Sequence, residues 1–491
     1  MTDFDPLGDR QPEPGRPAPG APSDKPGQIP GDGPWAPSDI PGHFSEGSPD
    51  SPPDIPGQSL AEVHTTFLKW LGKDYDLDAL DAILATGAVE QLGGDPCWLL
   101  VVSGSGAAKT ESVMPLAGIG AHIVSTITGE AALISGTAEK EKAKDAHGGL
   151  LRKIGERGIL VIKDVTSILS MQRDSRAAVL AALREIYDGR WDREIGQDGG
   201  KTLTWKGRLV VIGAVTTAWD AAHAVISTMG DRFVLVRMDS ATKENRRSAG
   251  LQALRNVNQE TTMREELADA VSALLADIDT SADYDLNDDE MLAIFDLADI
   301  VTLSRTAVER DYQGNVLEAH APEMPTRFAK QLAQVMRGAI AIGRPRDAAH
   351  ELAARCAGDS MPPLRLRVLL DVADNPLSGT ASVVKRTQLP RKTTDRILQE
   401  LHLLSLLAVT DEPYGDNKVR WLYSLSDQVD RGALEKLARN VGGSPRKPPA
   451  ESGQECQGEP QDATGTPCVG CRRPQTNPSG SAYCDTCRNA A

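Results

Sequence analysis

The stretch SGSGAAKTE, residues 103–111, follows the apolar run CWLLVV at 97–102, and its reading decides the fold. A loop that cradles phosphates takes the form G-x-x-x-x-G-K-[ST] between a buried strand and a helix. With Lys109 and Thr110 on its last two positions, the two fixed glycines fall on Ser103 and Ala108. Gly104 and Gly106 still supply flexible backbone. Ala108 costs about 1 kcal/mol of affinity if the chain there needs φ > 0. In this reading Ser103, Gly104, Ser105, Gly106, Ala107, Ala108, Lys109, Thr110 and Glu111 form an ATP-binding segment. Lys109 contacts the β- and γ-phosphates and the Thr110 hydroxyl ligates Mg²⁺. An ordinary strand–turn–helix connection also fits these nine residues taken alone.

Further apolar runs follow at regular intervals: HIVSTIT at 122–128, GILVIKD at 158–164, RLVVIGAVT at 208–216 and RFVLVRM at 232–238. Bare apolar runs separated by helical segments mark a parallel sheet covered on both faces, hence an α/β fold. The 158–164 run ends in Asp164, a carboxylate suited to hold the water shell of Mg²⁺ beside Thr110. The usual second acid is missing, because Val165 follows. Glu130, Glu156 and Glu185 are possible substitutes, and a simple strand-end cap is the alternative role for Asp164. Thr216 and Thr217 end the fourth run, where a polar side chain can sense a γ-phosphate, and Arg232 precedes the fifth.

In this order the motifs resemble those of the AAA+ ATPases, in particular the branch containing the minichromosome-maintenance helicases. The segment LREIYDGRWDREIGQDGGKTLTWKGRLVVIGAVT at 183–216 resembles the helix and β-hairpin that lead into that branch's sensor strand. The loop itself looks like those of uncharacterised P-loop proteins of actinobacteria and their phages. The resemblance covers roughly residues 90–345. It implies that Arg232 acts as a finger on a neighbouring subunit's nucleotide, and so a ring or dimer. It also implies that Arg327, in EMPTRFAKQL at 323–332, is the sensor 2 arginine of a helical lid. A structural ion pair for Arg232 and a surface role for Arg327 stay open.

With 491 residues the chain has room for several domains. Residues 1–57, rich in Pro, Gly, Asp and Ser, read as a disordered acidic tail. An ATPase core with N-terminal helices spans 58–240 and a helical lid 241–360. Residues 361–425 resemble a winged helix: LRLRVLLDVAD, TASVVKRTQ and RKTTDRILQELHLLSLL, then two strands in LAVTDEPYGDNKVRWLYSL. In such folds the third helix enters the major groove by its N-terminal residues, here Arg391, Lys392, Thr393 and Thr394, with Lys385 and Arg386 near phosphates. A protein-binding winged helix is the alternative. A linker at 426–465 leads to 466–491, where Cys468, Cys471, Cys484 and Cys487 stand as C-x₂-C-x₁₂-C-x₂-C. Two such knuckles suit one tetrahedral Zn²⁺, a zinc ribbon.

The net charge of −16 and pI near 5.1 argue against nonspecific coating of nucleic acid. No apolar run reaches the ~20 residues of a membrane span, and the acidic start MTDFDPLGDR is not a secretory signal; the expectation is a cytoplasmic protein. These features predict an ATP-dependent, Mg²⁺-using oligomer acting on DNA, as in replication of a mobile element. The rival is a nucleotide-sensing winged-helix regulator with little or no hydrolysis.

Overall fold

The computed structural model describes residues 58–136, 147–196, 200–220, 232–238, 242–413 and 418–439, all within the unit Ile55–Ala491. The acidic tail and the four-cysteine knuckles lie outside them. Seven strands belong to the first half: β1 (Trp98–Val102), β2 (His122–Val124), β3 (Arg157–Ile162), β4 (Arg190–Ile195), β5 (Lys201–Lys206), β6 (Arg208–Val215) and β7 (Val234–Arg237). Five of them form one sheet in the order β2-β3-β6-β1-β7, and every neighbouring pair is parallel.

Successive strand residues point to opposite faces, so each apolar run feeds two cores. Leu99, Val101, Val161, Val210, Ile212, Val234 and Val236 pack against the helices that flank one face. Trp98, Leu100, Val102, Leu160, Ile162, Val211 and Leu235 pack on the other, under the helix Arg173–Tyr187 and the antiparallel hairpin β4–β5. In that hairpin Trp191 stands opposite Trp205, and both are buried. The second run is shorter than its sequence suggests: pairing stops at Val124, because β2 is an edge strand with β3 on one side only.

The apolar periodicity before the sheet becomes the helices Leu60–Leu71 and Leu77–Ala88. Ser59 and Glu62 close a capping box at the start of the first. The second is buried nearly all round and lies so close to the helix Thr326–Ala341 that a Cβ on Gly338 would sit 2.1 Å from the Ala85 carbonyl oxygen. Only glycine allows that approach.

Beyond β7 come the helices Lys243–Asn256, Glu260–Ala276, Asp288–Arg305, Thr326–Ala341 and Arg346–Asp359. Apolar spacing suggests helices alone here, but a small hairpin, β8 (Val308–Arg310) and β9 (Val316–Ala319), interrupts them. Its turn is held by the Asp311 carboxylate, which accepts from the backbone N–H of Gln313 and Asn315, and by Gly314 at φ 81°. Helices Pro363–Asp374, Thr380–Thr387 and Arg391–Leu403 follow, then the antiparallel pair β10 (Leu407–Pro413) and β11 (Val419–Leu425). This segment is fastened to the preceding helices by buried charge. Glu400 accepts from Arg365 Nε (3.0 Å) and Arg310 Nε (2.9 Å), while Arg365 also donates to the Ser304 and Thr306 carbonyls. Within the stretch read as linker, Arg431–Arg439 is helical and buries Ala433, Leu434 and Leu437. No helix among the described residues is long and apolar enough to cross a membrane.

Candidate functional site

β1 and β6 are neighbours, and the connection from β1 runs to β2 at one edge of the sheet while that from β6 runs to β7 at the other. Open parallel sheets bind ligands at such a switch point, outside the carboxyl ends of the strands. Val102 of β1 is in register with Val215 of β6 and Arg237 of β7, and Ile162 of β3 with Gly213 of β6. Loop 103–108, Asp164 and Thr216 therefore emerge along one edge.

The loop starts at buried Ser103, whose N–H donates to the Val215 carbonyl (3.3 Å). Gly106 has φ 80°, and Ala108 is left-handed at φ 56°, ψ 14°. Lys109 opens the helix Lys109–Val113 and folds back over the loop. Its Nζ donates to the Ser103 carbonyl (3.0 Å), the Ser103 hydroxyl (2.9 Å) and the Gly104 carbonyl (2.7 Å). The chain's own contacts thus hold the loop in the conformation for which a glycine is usual at Ala108. The positive φ that makes an L-residue costly at this position is therefore present in the folded chain itself. Partial burial lowers the Lys109 pKa, and the nearby Asp164 carboxylate opposes that shift.

Asp164 is exposed and accepts from the Thr166 N–H through Oδ1 (2.9 Å). The Thr166 hydroxyl in turn meets Thr216 Oγ1 at 3.4 Å and accepts from the Thr216 N–H at 3.3 Å. The ends of β3 and β6 are thereby joined beside the lysine. Thr110 is exposed at the start of its helix, so an exposed hydroxyl and an exposed carboxylate are both present as hard oxygen donors for Mg²⁺. Glu111 faces away from this group. It forms a two-point ion pair with Arg264 (2.9 and 3.2 Å) and is committed to the helix Glu260–Ala276.

A cavity of 560 Å³ opens beside the loop. Gly104 to Ala108 form one wall, the turn Asp74–Asp78 another, and Met238 with the helix Lys243–Asn256 closes it. Tyr75, stacked on Phe67, ties that turn to the loop's helix through its hydroxyl and Ser112 Oγ (2.7 Å). Sequence reasoning misses Tyr75, Asn245 and Arg246. Their only signal is a short polar turn after one helix and a Thr242 cap before another, and neither carries a ligand pattern.

The two arginines stand elsewhere. Arg232 precedes β7, and Arg327 begins the helix whose Gln331 accepts from the Trp98 N–H at the start of β1. Both therefore lie at the amino edge of the sheet, separated from the loop by the five residues of β1, about 15 Å at ~3.3 Å per residue. Arg232 pairs with Asp188 (3.6 Å) and lies 5.7 Å from the Tyr187 ring centre; burial and the charge of Arg327 lower its pKa. Neither arginine can touch a phosphate in its own chain's loop. Glu156 precedes β3 at that same distant edge, and Glu130 pairs with Arg193 of β4 (3.7 Å).

In the C-terminal segment Arg391, Lys392 and Lys385 are exposed, and Thr393 is half-buried. Thr394, expected on the contact surface, is instead fully buried, its hydroxyl donating to the Pro390 carbonyl (3.2 Å). Arg386 is held by Asp371 (2.8 Å). Among the described residues no group of three or more His, Cys, Asp or Glu is arranged to hold a metal ion, and the tail cysteines lie outside them.

No protein-family model and no curated protein matches the chain. Among solved structures it is similar to the ORC1 protein of Aeropyrum pernix in complex with DNA, at 14% identity over 79% of this chain and 93% of that one, with a TM-score of 0.22. It is similar to the active helicase Cch of SCCmec type IV, at 11% identity over 79% and 75%, TM-score 0.31. A third likeness is to the C-terminal region of NrS-1, at 12% identity over 76% and 78%, TM-score 0.24. At these scores none of them defines the fold of this chain.

Proposed function

We propose that the chain is an AAA+-like ATPase that couples ATP to binding or remodelling of DNA. One observation carries this reading: Lys109, Asp164 and Thr216 follow the carboxyl ends of three strands of a parallel sheet, with Asp164 close enough to act on the Lys109 charge and Thr166 linking Asp164 to Thr216. The glycine-bearing loop also walls a 560 Å³ cavity that none of the three lines. Lys109 would exchange its three loop acceptors for phosphate oxygens, a stronger, charge-assisted set. Thr110 and Asp164 would hold Mg²⁺, which neutralises charge on the β- and γ-oxygens. Thr216 would feel the terminal phosphate and pass its presence to Thr166. Arg232 and Arg327 would act on the nucleotide of a second copy, since both lie about 15 Å from their own loop.

Arg391 and Lys392, at the exposed start of the helix Arg391–Leu403, would contact DNA as in a winged helix. Cys468, Cys471, Cys484 and Cys487 would bind one Zn²⁺, a reading supported by their spacing. Val165, in place of the usual second acid, favours a second reading: a nucleotide-sensing DNA-binding regulator with little turnover. Phosphate release with and without single- and double-stranded DNA separates the two. Release stimulated by DNA supports the ATPase. ATP binding that changes DNA affinity without release supports the regulator.

A further inference from the structure

The hairpin β8–β9 takes no part in the site described above, yet it presents an aromatic ring to solvent. Tyr312, at its tip, is 95% exposed. The turn that carries the ring is stiff. Asp311 accepts from the N–H groups of Gln313 and Asn315 and from the Asn315 side-chain amide (2.7 Å), and the Gln313 amide donates to the Tyr312 hydroxyl (2.8 Å). Arg310 and Glu400 fix the same hairpin to the helix Arg391–Leu403. On that helix Lys392 and Arg396 stand four residues apart and so share one face. The Arg396 guanidinium lies against the hairpin turn, where a Cβ built on Gly314 would meet its Nη2 at 2.7 Å. Arg391, Lys392 and Arg396 form no ion pair with any of the described residues. Of the hairpin's own carboxylates, Asp311 is occupied by the turn and Glu309 faces His320 (3.3 Å), which leaves Glu318. A rigid exposed ring thus adjoins a row of unpaired cations.

We infer that Tyr312 stacks on an unpaired base of DNA whose neighbouring phosphates are held by Arg396, Lys392 and Arg391. The inference rests on the DNA reading above and extends that interface from the start of one helix to a second element, the hairpin. The chemistry of the row selects the partner. A phenol ring takes a flat π-surface, and the ammonium and guanidinium groups beside it take phosphate oxygens, the two features that alternate along a nucleic-acid strand. Within a duplex the faces of a base are covered by its neighbours and only its edges are open in the grooves. A ring that stacks therefore needs a base outside the duplex, next to the part that the helix start holds.

The test uses the full chain with two labelled DNAs: a blunt duplex, and the same duplex extended by a short single strand at its 3′ or 5′ end. Tyr312→Ala is expected to weaken binding to the extended duplex about 5-fold or more, as the loss of one base–aromatic stack does. Its affinity for the blunt duplex should change by less than about 2-fold. Tyr312→Phe keeps the ring and should bind both DNAs as the wild type does. A 2-aminopurine placed in the unpaired strand beside the junction gives a direct readout of stacking, with fluorescence quenched by wild type and Tyr312→Phe but not by Tyr312→Ala. Because the ring is exposed, neither variant should move the urea midpoint, which controls for folding. Arg396→Ala should lower the dependence of log K on log salt by about one phosphate contact. Equal affinity of wild type and Tyr312→Ala for the extended duplex overturns the inference, as does an equal loss on the blunt one. Wild type that binds neither DNA refutes the DNA reading itself, and this inference with it.

Discussion

Replacing Ala108 by glycine restores the residue usual at that point of a phosphate loop, and the naive expectation is tighter nucleotide binding. The geometry predicts otherwise. A left-handed conformation costs an L-residue roughly 1–2 kcal/mol relative to glycine. If the loop adopted it only on binding, Ala108→Gly would tighten affinity about 5- to 30-fold, at 1.4 kcal/mol per factor of ten. Ala108 stands at φ 56°, and its carbonyl accepts from the Ser112 N–H and hydroxyl, bonds that nucleotide does not replace, so free and bound chains bear the same strain and the difference cancels. Affinity for a fluorescent ATP analogue should therefore change by less than about 2-fold. The relief falls on stability instead, reduced by the ~0.4–1 kcal/mol that glycine costs through a looser unfolded chain. The net change in the urea midpoint should be zero to slightly positive. Tightening of five-fold or more, without a stability change, would refute the reasoning and show that the loop is remodelled by nucleotide.

Three further outcomes follow from other parts of the chain. Glu400→Gln leaves the buried Arg365 guanidinium without its carboxylate and should cost about 3–5 kcal/mol, whereas Arg310→Ala, on a partner 43% exposed, should cost under ~1 kcal/mol; equal effects by urea unfolding would contradict a buried latch. Asp359 is buried, which raises its carboxyl to about 6 from 3.8 against the opposing pull of Arg355 and Arg237. The folded chain then holds a proton that the unfolded chain has lost, so this group's contribution is full below pH 3.8 and disappears as pH rises through 6. Asp359→Asn should flatten the urea midpoint between those values, and an unchanged slope would assign it to other groups. Arg391→Ala with Lys392→Ala should weaken duplex DNA binding and reduce the dependence of log K on log salt by about two phosphate contacts; an unchanged slope removes this helix from the DNA interface.

The strands were legible in sequence because a parallel sheet buried on both faces must be written as uninterrupted apolar runs, as β1, β3 and β6 are. The site elements were legible for the same reason: Lys109, Asp164 and Thr216 each follow the end of such a run, and parallel strands deliver their ends to one edge. What sequence did not reveal depends on packing between distant segments. Arg327 reads as a lid arginine, and nothing in its own segment reveals that Gln331, four residues on, accepts from the Trp98 N–H at the start of β1 and so fixes the helix at the edge opposite the loop. Thr394 sits between exposed and half-buried neighbours on an amphipathic helix, and a polar side chain gave no hint that its hydroxyl closes on Pro390. Glu111 adjoins the motif, but its partner Arg264 lies 153 residues away. The cavity wall at Tyr75 and Arg246 likewise exists only once two separate turns meet.

The central claim is that the loop at 103–111 holds the phosphates of ATP through Lys109. Calorimetric titration of the full chain with ATP and Mg²⁺, wild type against Lys109→Ala, tests it most directly. One site per chain is expected in the wild type, with a loss of at least 10-fold in affinity in the variant, roughly the worth of one charge-assisted contact. Equal affinity in both proteins, or no binding to the wild type, would contradict it.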